Sequence, residues 1–122
     1  MYRFVAILVV LSLPQFASAE SVSFGAGLDP DGGHIGGSAD SVNNAPATGR
    51  VHWSGNAITI HDGFISGHSV LLYGTITRSN DPTLEGKAVT IELVPGFDMV
   101  FFTIDLEPTD LSYSGFGRVA VR

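Results

Sequence analysis

The segment TGRVHWSGNAITIHDGFISGH, residues 48–68, contains three of the four histidines and the only tryptophan of the chain. Apolar and polar residues alternate on both sides of Gly55-Asn56, a dipeptide that tolerates the positive φ of a two-residue hairpin turn. A turn at this dipeptide brings four apolar side chains onto one face of the hairpin: Val51, Trp53, Ile58 and Ile60. A one-residue slip would mix the two faces, so the pattern predicts a β-hairpin with a defined inner side.

The polar face of this hairpin carries a candidate ligand-binding cluster of Arg50, His52 and His61. In the predicted register Arg50 faces His61, whereas His52 lies diagonally to it. We expect the polar face to point outward, so that these side chains are solvated. If the face pointed inward, they would line a pocket. Two imidazoles near an acid can bind zinc or copper. The segment has no closely spaced histidine pair, so we predict no metal site here. Asp62-Gly63 is a second turn signal, either a direct reversal or a bulged corner.

The rest of the chain repeats the two-residue alternation, cut by turns rich in Gly, Asn, Asp and Pro, which is typical of antiparallel strands. The 15 glycines and six prolines fit short strands better than helices. The predicted strands cover residues 21–27, 34–42, 49–53, 57–61, 69–77, 87–94, 99–106 and 111–121. The predicted fold class is therefore all-β, a small antiparallel barrel or sandwich of about eight strands.

The first 19 residues, MYRFVAILVVLSLPQFASA, have the layout of a secretory signal peptide. Arg3 precedes an apolar run that is shorter than the roughly 20 residues needed to span a bilayer. The small residues Ala17-Ser18-Ala19 predict cleavage before Glu20. The expected organisation is a signal peptide over 1–19 and one all-β domain over 20–122, exported to the periplasm or the extracellular medium.

The charge of the mature chain restricts its partners. Removing 19 of 122 residues leaves 103, with five basic and twelve acidic residues and a net charge of −7. Nucleic-acid binding is not expected, because it depends on neutralising phosphates. Membrane insertion after cleavage is not expected either. The chain has no cysteine, which excludes thiol catalysis and thiolate metal sites.

Three further groups of residues are weaker candidates. Asp29, Asp31 and Asp40 supply oxygens of the kind calcium takes, but their spacing misses the calcium-loop pattern and the segment is predicted to be a turn. Thus no cofactor is expected. Glu92 and Asp105 are predicted on the polar side of neighbouring strands, where a carboxylate pair could serve acid–base chemistry if buried. The aromatic residues Tyr73 and Phe101 could form a binding patch or complete a two-sided core.

Five segments, in order, resemble the bacterial exported β-domains of the post-COAP type: FGAGLDPDGGHIGG, TGRVHWSGNAITI, SGHSVLLYGTIT, EGKAVTIEL and YSGFGRVAV. The matching positions include Phe24-Gly25, Val51-His52, Ser66-Gly67 and Tyr113-Ser114-Gly115. The chain departs from the family at Val94–Asp98, where an Asp-Asn-Gly-Glu-Pro-like turn is usual. The resemblance implies fold and export and carries over no functional residue.

Three functions are compatible with these features. The leading hypothesis is an exported, non-catalytic module for recognition or structural support, with a protein, a glycan or a small apolar molecule as its ligand. The second is a barrel carrier for a small apolar ligand, and the third is a small hydrolase or isomerase that uses His52, His61 or Glu92. A cavity of roughly 300 Å³ or more would favour the carrier. A filled interior would favour the module, and histidine and carboxylate groups that converge in a cleft would favour the enzyme.

Overall fold

A computed structural model describes residues 19–122 of the chain, which form eight β-strands and one 3₁₀ turn. The strands are β1 (Ala19–Asp29), β2 (Gly33–Val42), β3 (Thr48–Trp53), β4 (Asn56–Ile65), β5 (Val70–Arg78), β6 (Ala88–Val94), β7 (Met99–Ile104) and β8 (Leu111–Val121). The 3₁₀ turn covers Pro95–Phe97, between β6 and β7. The predicted signal peptide lies outside the described residues, apart from Ala19 at the start of β1.

The eight strands form one closed antiparallel barrel in which each strand pairs with its neighbours in sequence. β1 also pairs with β8, from Val22 opposite Val121 to Asp29 opposite Ser114. This pairing closes the sheet, so the fold is a barrel and not a sandwich. Within residues 19–122, none of the helical segments is long and apolar enough to cross a membrane.

The interior of the barrel is packed with apolar side chains. The alternation along each strand directs every second residue inward, and in β6 and β7 all of these inward residues are aliphatic or aromatic. The buried apolar residues are Val22, Phe24, Ala26, Leu28, Ile35, Ala39, Ala47, Val51, Trp53, Ile58, Ile60, Ile65, Val70, Leu72, Ile76, Val89, Ile91, Leu93, Val100, Phe102, Ile104 and Val119. An eight-stranded barrel is just wide enough for side chains to fill it.

Both ends of the barrel are covered by residues from connecting loops or strand ends. At the end that holds the chain termini, Ala47 of the β2–β3 loop is fully buried and its N–H donates to the Gly63 carbonyl. At the other end, the Trp53 indole N–H donates to the Gly32 carbonyl at 2.7 Å. The Trp53 ring also meets Phe102 edge-on, at a centroid distance of 4.9 Å. The polar indole atom is therefore satisfied while its ring seals the core.

The β3–β4 hairpin forms with the predicted inner face but a different turn. The turn residues are Ser54 and Gly55, both at positive φ (44° and 87°), so Trp53 lies opposite Asn56 and Val51 opposite Ile58. The predicted turn at Gly55-Asn56 was wrong, and the register moves by two residues. Since strand sides alternate with period two, a two-residue shift preserves the faces.

β4 continues beyond the second turn signal. Its pairing with β5 shifts between Ile60 and Asp62, which leaves His61 as the extra residue of a bulge. Gly63 follows with φ of 130° and β4 ends at Ile65. The bulged-corner interpretation of Asp62-Gly63 is thus confirmed, and the direct reversal is wrong.

Six glycines allow neighbouring backbones to approach closely at three seams, β2/β3, β4/β5 and β8/β1. A Cβ atom on any of them would lie 1.9 to 2.5 Å from a carbonyl oxygen of the adjacent strand. These glycines are Gly37, Gly49, Gly63, Gly74, Gly115 and Gly117. Sheets of this size close by bending sharply at such positions.

We predict that Gly115→Ala destabilises the protein by about 1–3 kcal/mol, because its new methyl group would collide with the Gly27 carbonyl and the strands would have to separate. Urea denaturation monitored by Trp53 fluorescence measures this change in the free energy of unfolding. The matched control is Gly25→Ala on β1, where a Cβ meets no atom within 4 Å. We expect the control to change stability by no more than about 0.5 kcal/mol. Equal effects from the two substitutions would contradict the role of the seams.

Candidate functional site

The structure separates the predicted polar cluster into two locations. Arg50 and His52 lie on the outward side of β3 and are exposed. His61 is also outward and exposed. Ala57, and not the predicted Thr59, lies opposite His52, so His61 is no longer diagonal to His52. His61 follows Ala57 by four residues, about 13 Å along the strand. The predicted pairing of Arg50 with His61 was wrong, since Arg50 lies opposite Thr59.

Arg50 and His52 line a depression on the outer wall of β3, β4 and β5, which we call the basic groove. Its volume is about 260 Å³. It is lined by Arg50, Val51, His52, Ala57, Ile58, Thr59, Thr77 and Arg78. The hydroxyls of Thr59 and Thr77 lie 3.3 Å apart, and Thr77 donates to the Ala57 carbonyl at 3.3 Å. The groove therefore combines cationic groups with hydroxyl groups.

His61 lines a different depression, on the outer wall of β5, β6 and β7. Its volume is about 350 Å³, and its lining residues are His61, Tyr73, Gly74, Ala88, Val89, Thr90, Thr103, Asp105 and Asp110. The His61 ring nitrogen Nε2 lies 3.3 Å from the Thr75 hydroxyl. This depression contains two carboxylates, an imidazole and a phenol.

A third depression, of about 390 Å³, adjoins the second one across β7. It is lined by Asp29, Pro30, Phe101, Thr103, Ser112, Tyr113 and Ser114. Thr103 lines both, and its hydroxyl lies 3.2 Å from that of Ser112. We call the two together the hydroxyl groove, since threonine and serine side chains run along its length. The exposed aromatic residues Tyr73 and Phe101 lie in its two halves, so they face outward rather than completing a core.

The two carboxylates predicted as a possible acid–base pair do not come together in one site. Glu92 lies opposite Leu71 and Phe101, whereas Asp105 follows the end of β7 and its N–H donates to the Ala88 carbonyl. Both side chains are exposed and β6 neighbours β7, as predicted. The two carboxylates are nevertheless at different heights on the wall and form no buried acid–base pair.

The calcium alternative has no geometric support among the described residues. Asp29 and Asp31 lie at the β1–β2 turn, and Asp40 lies far along β2, opposite Ser21 and Thr48. Over residues 19–122, no group of three or more histidines and acids is placed to hold a metal ion.

One carboxylate has a clearly perturbed pKa, and its cause is a local turn. The Thr83 hydroxyl donates to Asp81 Oδ1 at 2.6 Å and the Thr83 N–H donates to the same atom at 2.9 Å. Both hydrogen bonds favour the charged form, so they hold the pKa of Asp81 below its usual range. Asp81 is fully exposed in the β5–β6 loop, so we assign its perturbation to the turn and not to a binding site.

Sequence reasoning missed Arg78, Asp110 and the serines of β8. Ser112 and Ser114 alternate along a predicted strand, so the two-residue period could have placed them on the outer wall. Arg78 gives no such signal, because its position depends on a bulge in β5.

Comparison with known proteins adds no relative: no family model, curated protein or solved structure matches the chain. The resemblance to the post-COAP type of β-domain therefore stays a prediction.

Proposed function

We propose that the protein is an exported, non-catalytic recognition module that binds its ligand on the outer wall of a filled barrel. The observation that supports this most strongly is the contrast between the interior and the wall. The inward positions are apolar and buried, whereas the depressions run between outward-facing polar and aromatic side chains. A surface of this kind is available for recognition without opening the barrel.

The carrier alternative has less support. A carrier needs an enclosed cavity, of roughly 300 Å³ or more for a drug-sized ligand. Ile35, Leu72 and Phe102 are among the largest interior side chains, and each is at most 2% exposed. Entry at either end would also require displacement of Ala47 or Trp53. Both are part of the packed core, so loading a ligand would cost core contacts.

The enzyme alternative requires acid–base groups within hydrogen-bond reach of a common substrate. His52 and His61 line separate depressions, and Glu92 lines neither of them. Without a shared centre, these three residues do not supply a general acid and a general base to one reacting group. Binding without chemistry is the simpler use of the wall.

The hydroxyl groove has the chemistry to bind a glycan. Pyranose rings present C–H faces that pack on aromatic rings and hydroxyl groups that exchange hydrogen bonds. Phe101 and Tyr73 offer exposed ring surface, and Thr103, Ser112 and Asp105 offer donors and acceptors beside it. Small β-barrels of another type, the OB-folds, also bind oligosaccharides on their outer strands.

Export is supported by the signal-peptide pattern of the first 19 residues. We expect the mature protein, in the periplasm or the medium, to begin at Glu20. Intact-mass measurement and N-terminal sequencing of protein produced from the full-length chain test this. A product that retains residues 1–19 would contradict export by cleavage. Loss of these residues would leave β1 complete except for Ala19.

Binding is tested by titrating ¹⁵N-labelled protein with cellohexaose, chitohexaose and xylohexaose. We predict that at least one of them shifts the amide signals of β6, β7 and β8 around Phe101. Phe101→Ser should weaken that binding about tenfold, since an aromatic contact contributes about 0.5–1.5 kcal/mol beyond its buried area.

The matched control is Phe116→Ser, which removes an exposed phenylalanine that lies outside the hydroxyl groove. It should leave the affinity unchanged. Three results would contradict the proposal: no binding of any of the three sugars, equal losses from Phe101→Ser and Phe116→Ser, or shifts concentrated at inward-facing amides such as that of Leu72.

A further inference from the structure

The basic groove concentrates positive charge on an acidic protein. Residues 20–122 carry twelve acidic and five basic side chains, and two of these five, Arg50 and Arg78, line this one depression of about 260 Å³. His52 lies two residues from Arg50 on β3 and in the same cross-strand row as Arg78. All three side chains are exposed, so the groove is open to a ligand.

The cross-strand rows through these cations contain neutral or basic residues. The cross-strand row through Arg50 contains Ala120, Ser23, Ser38, Thr59 and Thr75. The row through His52 contains Arg118, Gly25, Gly36, Ala57 and Arg78. Neither row carries a carboxylate. Two carboxylates lie at the edges of the groove: Asp40 is diagonal to Arg50 and opposite Thr48, and the Glu85 carboxylate accepts a hydrogen bond from the Ser79 N–H, next to Arg78, at 3.2 Å.

A β-bulge places Arg78 in the groove. Val70, Leu72, Gly74 and Ile76 point inward along β5, so simple alternation would direct Arg78 inward as well. The pairing shifts between Ala57 and Ile58, which makes Thr77 the extra residue and sets Arg78 opposite the outward Ala57. Bulges commonly re-aim a side chain in this way.

The bulge is held by a buried amide. Asn56 is one of two buried polar residues in the described chain, and its side-chain NH₂ donates to the Trp53 carbonyl at 2.8 Å. Its carbonyl oxygen accepts a hydrogen bond from the Ser79 hydroxyl, next to Arg78. The satisfied network fixes the strand ends on both sides of the groove, so the position of Arg78 is part of the packed structure.

We propose that the basic groove binds an oxyanion group of an acidic ligand. Arg50 and Arg78 are two strands apart and two residues apart along the strand direction, about 12 Å in all, so their long side chains can approach one anion from opposite sides. Guanidinium groups bind carboxylate, phosphate and sulfate oxygens through paired, charge-assisted hydrogen bonds. The Thr59 hydroxyl can rotate from Thr77 and donate to the anion, whereas the Thr77 hydroxyl already donates to the Ala57 carbonyl. On a protein of net negative charge, this local site would also orient an acidic ligand during its approach.

The oxyanion could come from a free inorganic anion or from an acidic sugar, and two probes distinguish these sources. Inorganic phosphate and trigalacturonate are titrated separately into the full-length mature protein, at low ionic strength, and followed by amide chemical shifts and calorimetry. We expect saturable binding of at least one probe at β3, β4 and β5. Tighter binding of trigalacturonate would identify a sugar carboxylate, and tighter binding of phosphate would identify a free anion. Absence of saturable binding by both would overturn the proposal.

The variants Arg50→Gln and Arg78→Gln should each weaken this binding about tenfold, since hydrogen bonds to charged groups are among the strong ones. Arg118→Gln is the matched control. It removes one positive charge from the same wall but outside the groove. Equal losses from all three would indicate non-specific attraction and overturn the proposal. Because the three arginines are exposed, we expect equal thermal stability.

A second control separates this site from the hydroxyl groove. Phe101→Ser should leave the binding of phosphate and trigalacturonate unchanged, whereas it weakens the binding of neutral sugars. The two proposals can therefore fail independently.

Discussion

The close approach of neighbouring backbones at inward-facing glycines is the constraint on which the barrel depends. At the β8/β1 seam, Gly115 and Gly117 leave room for the carbonyls of Gly27 and Gly25, where a Cβ would lie 2.0 Å or less from the oxygen. Closure at this seam pairs the first strand with the last one. The described sheet therefore has no unpaired strand edge. Unpaired edges are a route to aggregation, because they can pair with another chain.

Closure also decides where function can reside. Once eight strands surround an apolar core, their polar residues are directed to the outer wall, apart from the buried Ser41 and Asn56. The wall is chemically divided: the basic groove lies over β3 to β5, and the hydroxyl groove lies over β5 to β8. The first groove is cationic and the second offers hydroxyl and aromatic groups, so we expect the two grooves to bind different ligand groups.

The strands and their inner faces could be predicted from the sequence because alternation is a local pattern. Val51, Trp53, Ile58 and Ile60 are all buried as expected. The cross-strand partners could not be predicted, because Ser54-Gly55 and Gly55-Asn56 both suit a tight turn. The two candidate turns give the same faces, so hydrophobic pattern alone cannot choose between them.

The site was harder to predict than the fold because it depends on a hairpin turn and a bulge. The Ser54-Gly55 turn shifts the β3/β4 register by two residues and so moves His61 away from His52. The bulge at Thr77 places Arg78 in the same cross-strand row as His52. A bulge forms where one strand has an extra residue relative to its partner, so its position depends on the pairing of both strands. A short sequence motif does not contain that information. The sequence therefore predicted the cluster of Arg50 and His52 correctly, but it assigned His61 to this cluster instead of Arg78.

Amide hydrogen exchange along the β1/β8 seam tests closure most directly. A closed barrel predicts that the paired amides of Phe24 to Leu28 and of Gly115 to Val119 exchange as slowly as those of the β5/β6 pair. Fast exchange confined to the amides that face across the seam would show an open sheet with free edges, and would contradict both the filled interior and the functional division of the wall.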